Sequence, residues 1–123
     1  MKASGRSLLG LLLLVLLVLL VDGAHRWWVA RNEQALGQQV AAQTLPGDIR
    51  MISSENCTIC LRARAWLTQN RVAFSECLIE RDAVCQADYQ ALGAPGTPVL
   101  VVRGQPQLGF NAERLRLALQ RPG

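Results

Sequence analysis

The sequence predicts an α/β domain of order βαβαββα set behind an N-terminal apolar helix. Three observations lead there. An uncharged Leu/Val run covers residues 7–21; strand signals at 49–52, 72–79 and 99–102 alternate with stretches of helical spacing; and a Gly-containing turn follows the last of these before one more strand and helix. At 123 residues one compact domain fits, and a second independent core does not.

Lys2 and Arg6 precede the apolar run and Asp22 follows it, the pattern of a secretory h-region or a short signal anchor. Fifteen helical residues reach roughly 22 Å, so a true span borrows flanking residues while Arg6 and Asp22 snorkel. Charged Asp22 disfavours cleavage after Ala24, although the Val21-Asp22-Gly23 triplet is a tolerable weaker site, and Trp27 and Trp28 lie where an interfacial belt would sit. The reading is residues 1–6 as a cytoplasmic n-region, 7–24 as signal anchor or signal peptide, 25–47 as a solvated stalk or linker, and 48–123 as the folded domain. The basic N-terminal flank puts that domain outside the cytoplasm, on the periplasmic face of a bacterial membrane, where cysteines meet an oxidising environment.

Within the domain, residues 49–52 form a short strand, and Ser53-Ser54-Glu55-Asn56 supply turn and N-cap chemistry for a helix from about Cys57 to Gln69. Cys60, Ala63 and Leu67 share one face of it, Trp66 adds core bulk, and Asn70 suits a left-handed helix end. Residues 72–79 read as a strand and 82–92 as a helix closed by Gly93. The continuous run 99–102 is a strand buried on both faces, Arg103-Gly104-Gln105-Pro106 turns into a strand at 107–110, and Asn111 caps a last helix carrying Leu115, Leu117 and Leu119 that ends before Pro122. Strand, helix, strand demands a parallel pair with a right-handed crossover, and the late hairpin adds an antiparallel edge.

Composition excludes several functions. The net charge of +4 is split between the flanks of the apolar run and the remaining chain, where nine Arg face seven acids without a basic stripe, so no nucleic-acid partner is expected. His25 is the single imidazole, which excludes Ser-His triads and multi-His metal sites within this chain.

The strongest chemical signal is Cys57-Thr58-Ile59-Cys60 between a strand and a helix start. Unpaired N–H groups and the helix dipole favour a thiolate at Cys57, the nucleophile; Cys60, one turn on and facing inward, is the resolving thiol. Thr97-Pro98 stands at a strand entrance, either as an ordinary trans proline or as a cis one that leaves the Thr97 backbone free for an extended substrate.

Over residues 49–119 the chain resembles a glutaredoxin of the thioredoxin-fold superfamily. The resemblance rests on the CTICLRARAWL helix start at 57–67, GTPVLVV at 96–102 and Gly109-Phe110-Asn111. It implies a thioredoxin-like, glutaredoxin-type sheet with flanking helices and thiol–disulfide oxidoreductase activity at Cys57 and Cys60. It also implies that Thr97 and Pro98 form a cis-Pro loop facing Cys57, with Thr58, Ile59, Gly109, Phe110 and Asn111 on the substrate side. Members that use glutathione usually carry Pro after the first Cys, an aromatic before the second and a Lys just upstream, and a Gly-Gly pair later. Here Thr58, Ile59, no Lys and Leu108-Gly109 stand there, so glutathione remains one candidate electron donor and no tightly bound cofactor is implied. Arg62 and Arg64 read as solvated helix charges.

Cys77 and Cys85 lie outside that pattern. Their short spacing suits a structural disulfide, with free thiols or a relay to Cys57 and Cys60 as alternatives. Two other functions stay open: a zinc module using all four thiols, and a redox-inert interaction domain on the same fold. The expected partners are disulfide-bearing proteins or glutathione-type substrates, and a membrane through residues 7–24.

Overall fold

The computed structural model describes residues 4–121. Met1 and Lys2 of the expected n-region, and Pro122 at the expected end of the last helix, lie outside them. The chain divides into an N-terminal unit through Gln34 and a compact unit from Ala35.

Helix α1 (Ser4–Gln43) is continuous. In the N-terminal unit its Leu and Val side chains are exposed, and the helix is long and apolar enough to cross a membrane. Just past the apolar run, Arg26 pairs with Asp22 at 2.9 Å, one turn apart, and the Arg31 guanidinium stacks 4.5 Å from the Trp27 ring.

In the compact unit, β1 (Ile49–Ser53), β2 (Ser75–Leu78), β3 (Val99–Val102) and β4 (Gln105–Leu108) form one sheet in the order β2-β1-β3-β4. β1 pairs parallel with β2 and antiparallel with β3, and β3 pairs antiparallel with β4. The crossover from β1 to β2 is α2 (Thr58–Gln69); α3 (Ala83–Ala91) joins β2 to β3, and α4 (Ala112–Gln120) closes the chain. Strand alternation sorts two cores. Ile49, Met51, Leu100 and Val102 face Ala63 and Leu67 of α2 and Leu115 and Leu119 of α4, while Ile52 and Val99 face Cys85 of α3. Each of the Ile, Met, Leu and Val side chains among them contributes roughly 1.5–3 kcal/mol by leaving water.

Four expectations need correction. The polar segment read as stalk contributes to the core: Val40 is fully buried, and Leu36 and Ala41 pack beside it, so the compact unit begins well before residue 48. Gly37 permits this, because a Cβ there would meet the Asn70 side chain at 1.9 Å. Asn70 is not left-handed (φ −89°); its amide donates to Trp66 O at 2.8 Å, and Arg71 (φ 57°) takes the left-handed position instead. The Arg71 N–H to Thr68 O and Val72 N–H to Leu67 O bonds then complete a Schellman end. β2 is confined to Ser75–Leu78, with Val72 buried in the loop before it. β4 starts two residues early, because Arg103 (φ 48°) and Gly104 (φ 82°) form a two-residue turn of the kind that matches strand twist. The Arg103 side chain holds its own strained backbone by donating to Leu119 O, Gln43 O and Asp48. In α4, Leu115 and Leu119 are buried and Leu117 is exposed.

Candidate functional site: a cysteine pair facing the Thr97-Pro98 loop

β1 ends at Ser53, and the chain turns through three residues to Cys57, which is the N-cap of α2 in extended backbone geometry. A cysteine there does what Ser or Asp usually does: the Cys60 N–H donates to Cys57 Sγ at 3.0 Å, satisfying one of the helix's orphan donors with sulfur. Cys57 is half-buried and Cys60 fully buried, and the two are joined in a disulfide with Cα atoms 5.2 Å apart. Thr58 and Ile59 between them are exposed.

The loop before β3 completes the site. The Thr97–Pro98 peptide is cis, Pro98 is buried, and Thr97 O lies 3.5 Å from Cys57 Sγ. Pro98 O accepts from Gly109 N at 2.8 Å, which anchors the loop to the end of β4, where Gly109 has φ 72°. Of the other residues expected on the substrate side, Phe110 packs against Trp66 (ring centroids 5.4 Å apart) and Asn111 spends its Oδ1 capping α4 at Arg114 N, 2.9 Å away. Asn111 is exposed and Phe110, Cys57 and Thr97 are half-buried, while Thr58 and Ile59 are exposed.

Sequence reasoning missed three contacts. Ser54 Oγ and Thr97 Oγ1 are 2.9 Å apart, linking the two loops of the site. Arg64, read as solvated, grips Glu76 of β2 with two bonds, one of them Nε to Oε2 at 2.7 Å; these hydrogen bonds hold the Glu76 carboxyl below its ordinary range and raise the Arg64 guanidinium. Arg50 of β1 donates to Asp88 of α3 at 2.6 Å and reaches to 3.5 Å from Cys77 Sγ. An alternating strand pattern places Arg50 and Glu76 only on a face, and nothing local in sequence names their partners.

Cys77 of β2 and Cys85 of α3 form the second disulfide, Cα atoms 6.1 Å apart. The four sulfurs are thus paired two and two, and among the described residues no group of three or more Cys, His, Asp or Glu is placed to hold a metal.

This arrangement, a half-exposed cysteine at a helix N-cap bonded to a buried one a turn later and facing a proline loop, defines a thiol–disulfide site on a thioredoxin-like fold. The glutaredoxin family model matches residues 49–106. A variant of the thioredoxin-like protein BC3987 is 26% identical, with 59% of this chain and 95% of that one aligned at a TM-score of 0.55. The glutaredoxin from Archaeoglobus fulgidus, 21% identical, aligns over 60% of this chain and 87% of its own at a TM-score of 0.50, a likeness of fold. No protein of curated function matches the chain. The fold is thus thioredoxin-like, and over residues 49–106 the chain is similar to the glutaredoxin family.

Proposed function

We propose that the protein is a membrane-anchored thiol–disulfide oxidoreductase with Cys57 as nucleophile and Cys60 as resolving thiol. The observation that carries the reading is the Cys57 sulfur itself, half-exposed at the start of α2 and accepting the Cys60 N–H. In the reduced protein the same N–H and the positive end of the helix stabilise a Cys57 thiolate. That thiolate attacks one sulfur of a substrate disulfide, forming a mixed disulfide and releasing the other sulfur as a thiolate that takes up a proton. Cys60 then loses its proton and attacks Cys57 Sγ, closing the Cys57–Cys60 bond and releasing the second substrate thiol. The substrate has gained two electrons and two protons; the domain has lost the two electrons and the Cys60 proton, and the other proton comes from water, which took up the Cys57 proton when the thiolate formed. A dithiol protein or glutathione returns the electrons, or the cycle runs in reverse to oxidise partners.

Substrate docks in an extended form along the cis-Pro loop at Thr97 and Pro98, over exposed Thr58 and Ile59 and beside Gly109. Residues 7–24 anchor the chain with the domain outside the cytoplasm, and the Cys77–Cys85 bridge is a structural staple suited to that compartment. The test uses the full chain in detergent micelles and follows reduction of a disulfide peptide. Cys57→Ser is expected to lower the rate by at least about a thousandfold, and Cys60→Ser to accumulate the mixed disulfide. Wild-type rates in Cys57→Ser would overturn the reading.

A further inference from the structure

The active-site loops come from places 43 residues apart in sequence, yet Ser54 Oγ and Thr97 Oγ1 meet at 2.9 Å, both residues half-buried. Among the described residues, two hydrogen-bond-range approaches link the β1–α2 loop to the loop before β3: this hydroxyl pair and Cys57 Sγ to Thr97 O at 3.5 Å. They share Thr97, one through its side chain and the other through its backbone. We infer that Ser54 is a positioning residue whose hydroxyl, by holding the Thr97 side chain, sets how closely the Thr97 carbonyl stands against the Cys57 sulfur. The inference rests on the reading of Cys57 as the nucleophile.

The physical consequence has a definite sign. In the reduced protein a Cys57 thiol donates its S–H to Thr97 O, whereas a thiolate there faces a carbonyl oxygen of like partial charge. A hydrogen bond that only the neutral form makes favours the neutral form. The carbonyl therefore opposes the Cys60 N–H and the helix N-terminus, and the Ser54 latch holds the sulfur between the two influences. Loosening the latch lets the carbonyl retreat and makes the thiol more acidic. It also frees the Thr97 backbone that an extended substrate would use, so substrate affinity suffers more than turnover. Among the described residues, the charged groups bonded to the β1–α2 loop are Arg81, which pairs with Glu55, and Glu80, which accepts the Glu55 N–H at 3.2 Å; Arg62 lies a turn into α2, and Ser54→Ala removes none of these charges.

The experiment measures the pH dependence of iodoacetamide alkylation at Cys57, located by peptide mapping, in the reduced full chain in micelles. Ser54→Ala and Thr97→Val, which remove opposite halves of the latch, should both move the alkylation midpoint down by roughly half a pH unit or more. Ser54→Thr, which keeps the hydroxyl, should titrate like wild type. KM for a disulfide peptide should rise severalfold in Ser54→Ala while kcat stays within about twofold. Lower melting temperature in Ser54→Ala and Thr97→Val with an unmoved midpoint would make the contact merely structural and overturn the inference. Alkylation reads Cys57 without any substrate. An absence of exchange activity in wild type, with the midpoint shift intact, would therefore count against the proposed function alone.

Discussion

Cys60 and Cys85 occupy the same local position, the third residue of a helix that follows a strand of the sheet; both are fully buried and both are disulfide-bonded. What differs is the cap. In α2 the Cys60 N–H is bonded by the partner sulfur, so the helix terminus is available to a thiolate at Cys57. In α3 the carboxylate of Asp82 takes the N–H groups of both Val84 (2.9 Å) and Cys85 (3.1 Å), leaving a negative charge where a Cys85 thiolate would need a donor. The reach differs too. The first bridge spans three residues within one turn, whereas the second spans eight and ties edge strand β2 to α3, whose one buried residue is Cys85 itself. By loop entropy the first restrains the unfolded chain by about 1.6 kcal/mol and the second by about 2.5 kcal/mol. Under the proposed function, the first geometry serves a reactive sulfur and the second serves attachment of a helix.

The largest expected effect comes from removing the attachment. Replacing both Cys77 and Cys85 by Ala should lower the melting temperature by roughly 10–20 °C in a domain of this size. Exchange activity at 25 °C should stay within about twofold of wild type. A loss of activity in a folded double variant would mean that the second pair takes part in the chemistry.

A smaller effect separates the cap's charge from its geometry. Asp82→Asn keeps a good N-cap, so stability should change by only a few tenths of a kcal/mol. The Cys77–Cys85 bridge should then be reduced severalfold faster by dithiothreitol, as read by alkylation and mass, because the departing Cys85 thiolate no longer faces a carboxylate. An unchanged rate would show that Asp82 is not what distinguishes the bridges.

The smallest effect concerns Arg64 and Glu76, which tie the helix of the first bridge to the strand of the second. Hydrogen bonding from Arg64 lowers the Glu76 pKa on folding, so the pair's contribution is complete above the ordinary carboxylate range and is lost as pH falls through the depressed value. Glu76→Gln should therefore be less stable than wild type by roughly 1 kcal/mol near pH 7. The gap should start to narrow as pH falls below about 4, the ordinary carboxylate range, and close only once pH has passed through the depressed value. A gap independent of pH would assign the loss to packing.

Much of this was legible in sequence where local chemistry and pattern agree. Cys57 and Cys60 sit where strand signal yields to N-cap residues, and the run 99–102 has no polar alternative to a buried strand. Legibility failed where tertiary contact overrides local cues. Residues 35–43 look like stalk because Gln and Gly interrupt Leu36 and Val40, yet Gly37 is the surface on which Asn70 packs. Asn70 looks like the left-handed helix end, but its amide is engaged at Trp66 O and the strain passes to Arg71. Arg103 disguises a two-residue turn because its favourable partners, Gln43, Asp48 and Leu119, are distant in sequence. The Ser54–Thr97 contact joins two ordinary hydroxyl residues, and only the fold brings them together.

If the two bridges do different work, a redox titration of all four cysteines separates them. The full chain in micelles is equilibrated across a graded thiol–disulfide redox series, quenched by alkylation, and each cysteine is counted by peptide mass. Cys57 and Cys60 are expected to titrate together as a two-electron couple between roughly −270 and −120 mV while Cys77 and Cys85 remain oxidised throughout that range. Four cysteines titrating as one set, or a Cys57–Cys60 bond that never exchanges, would contradict it.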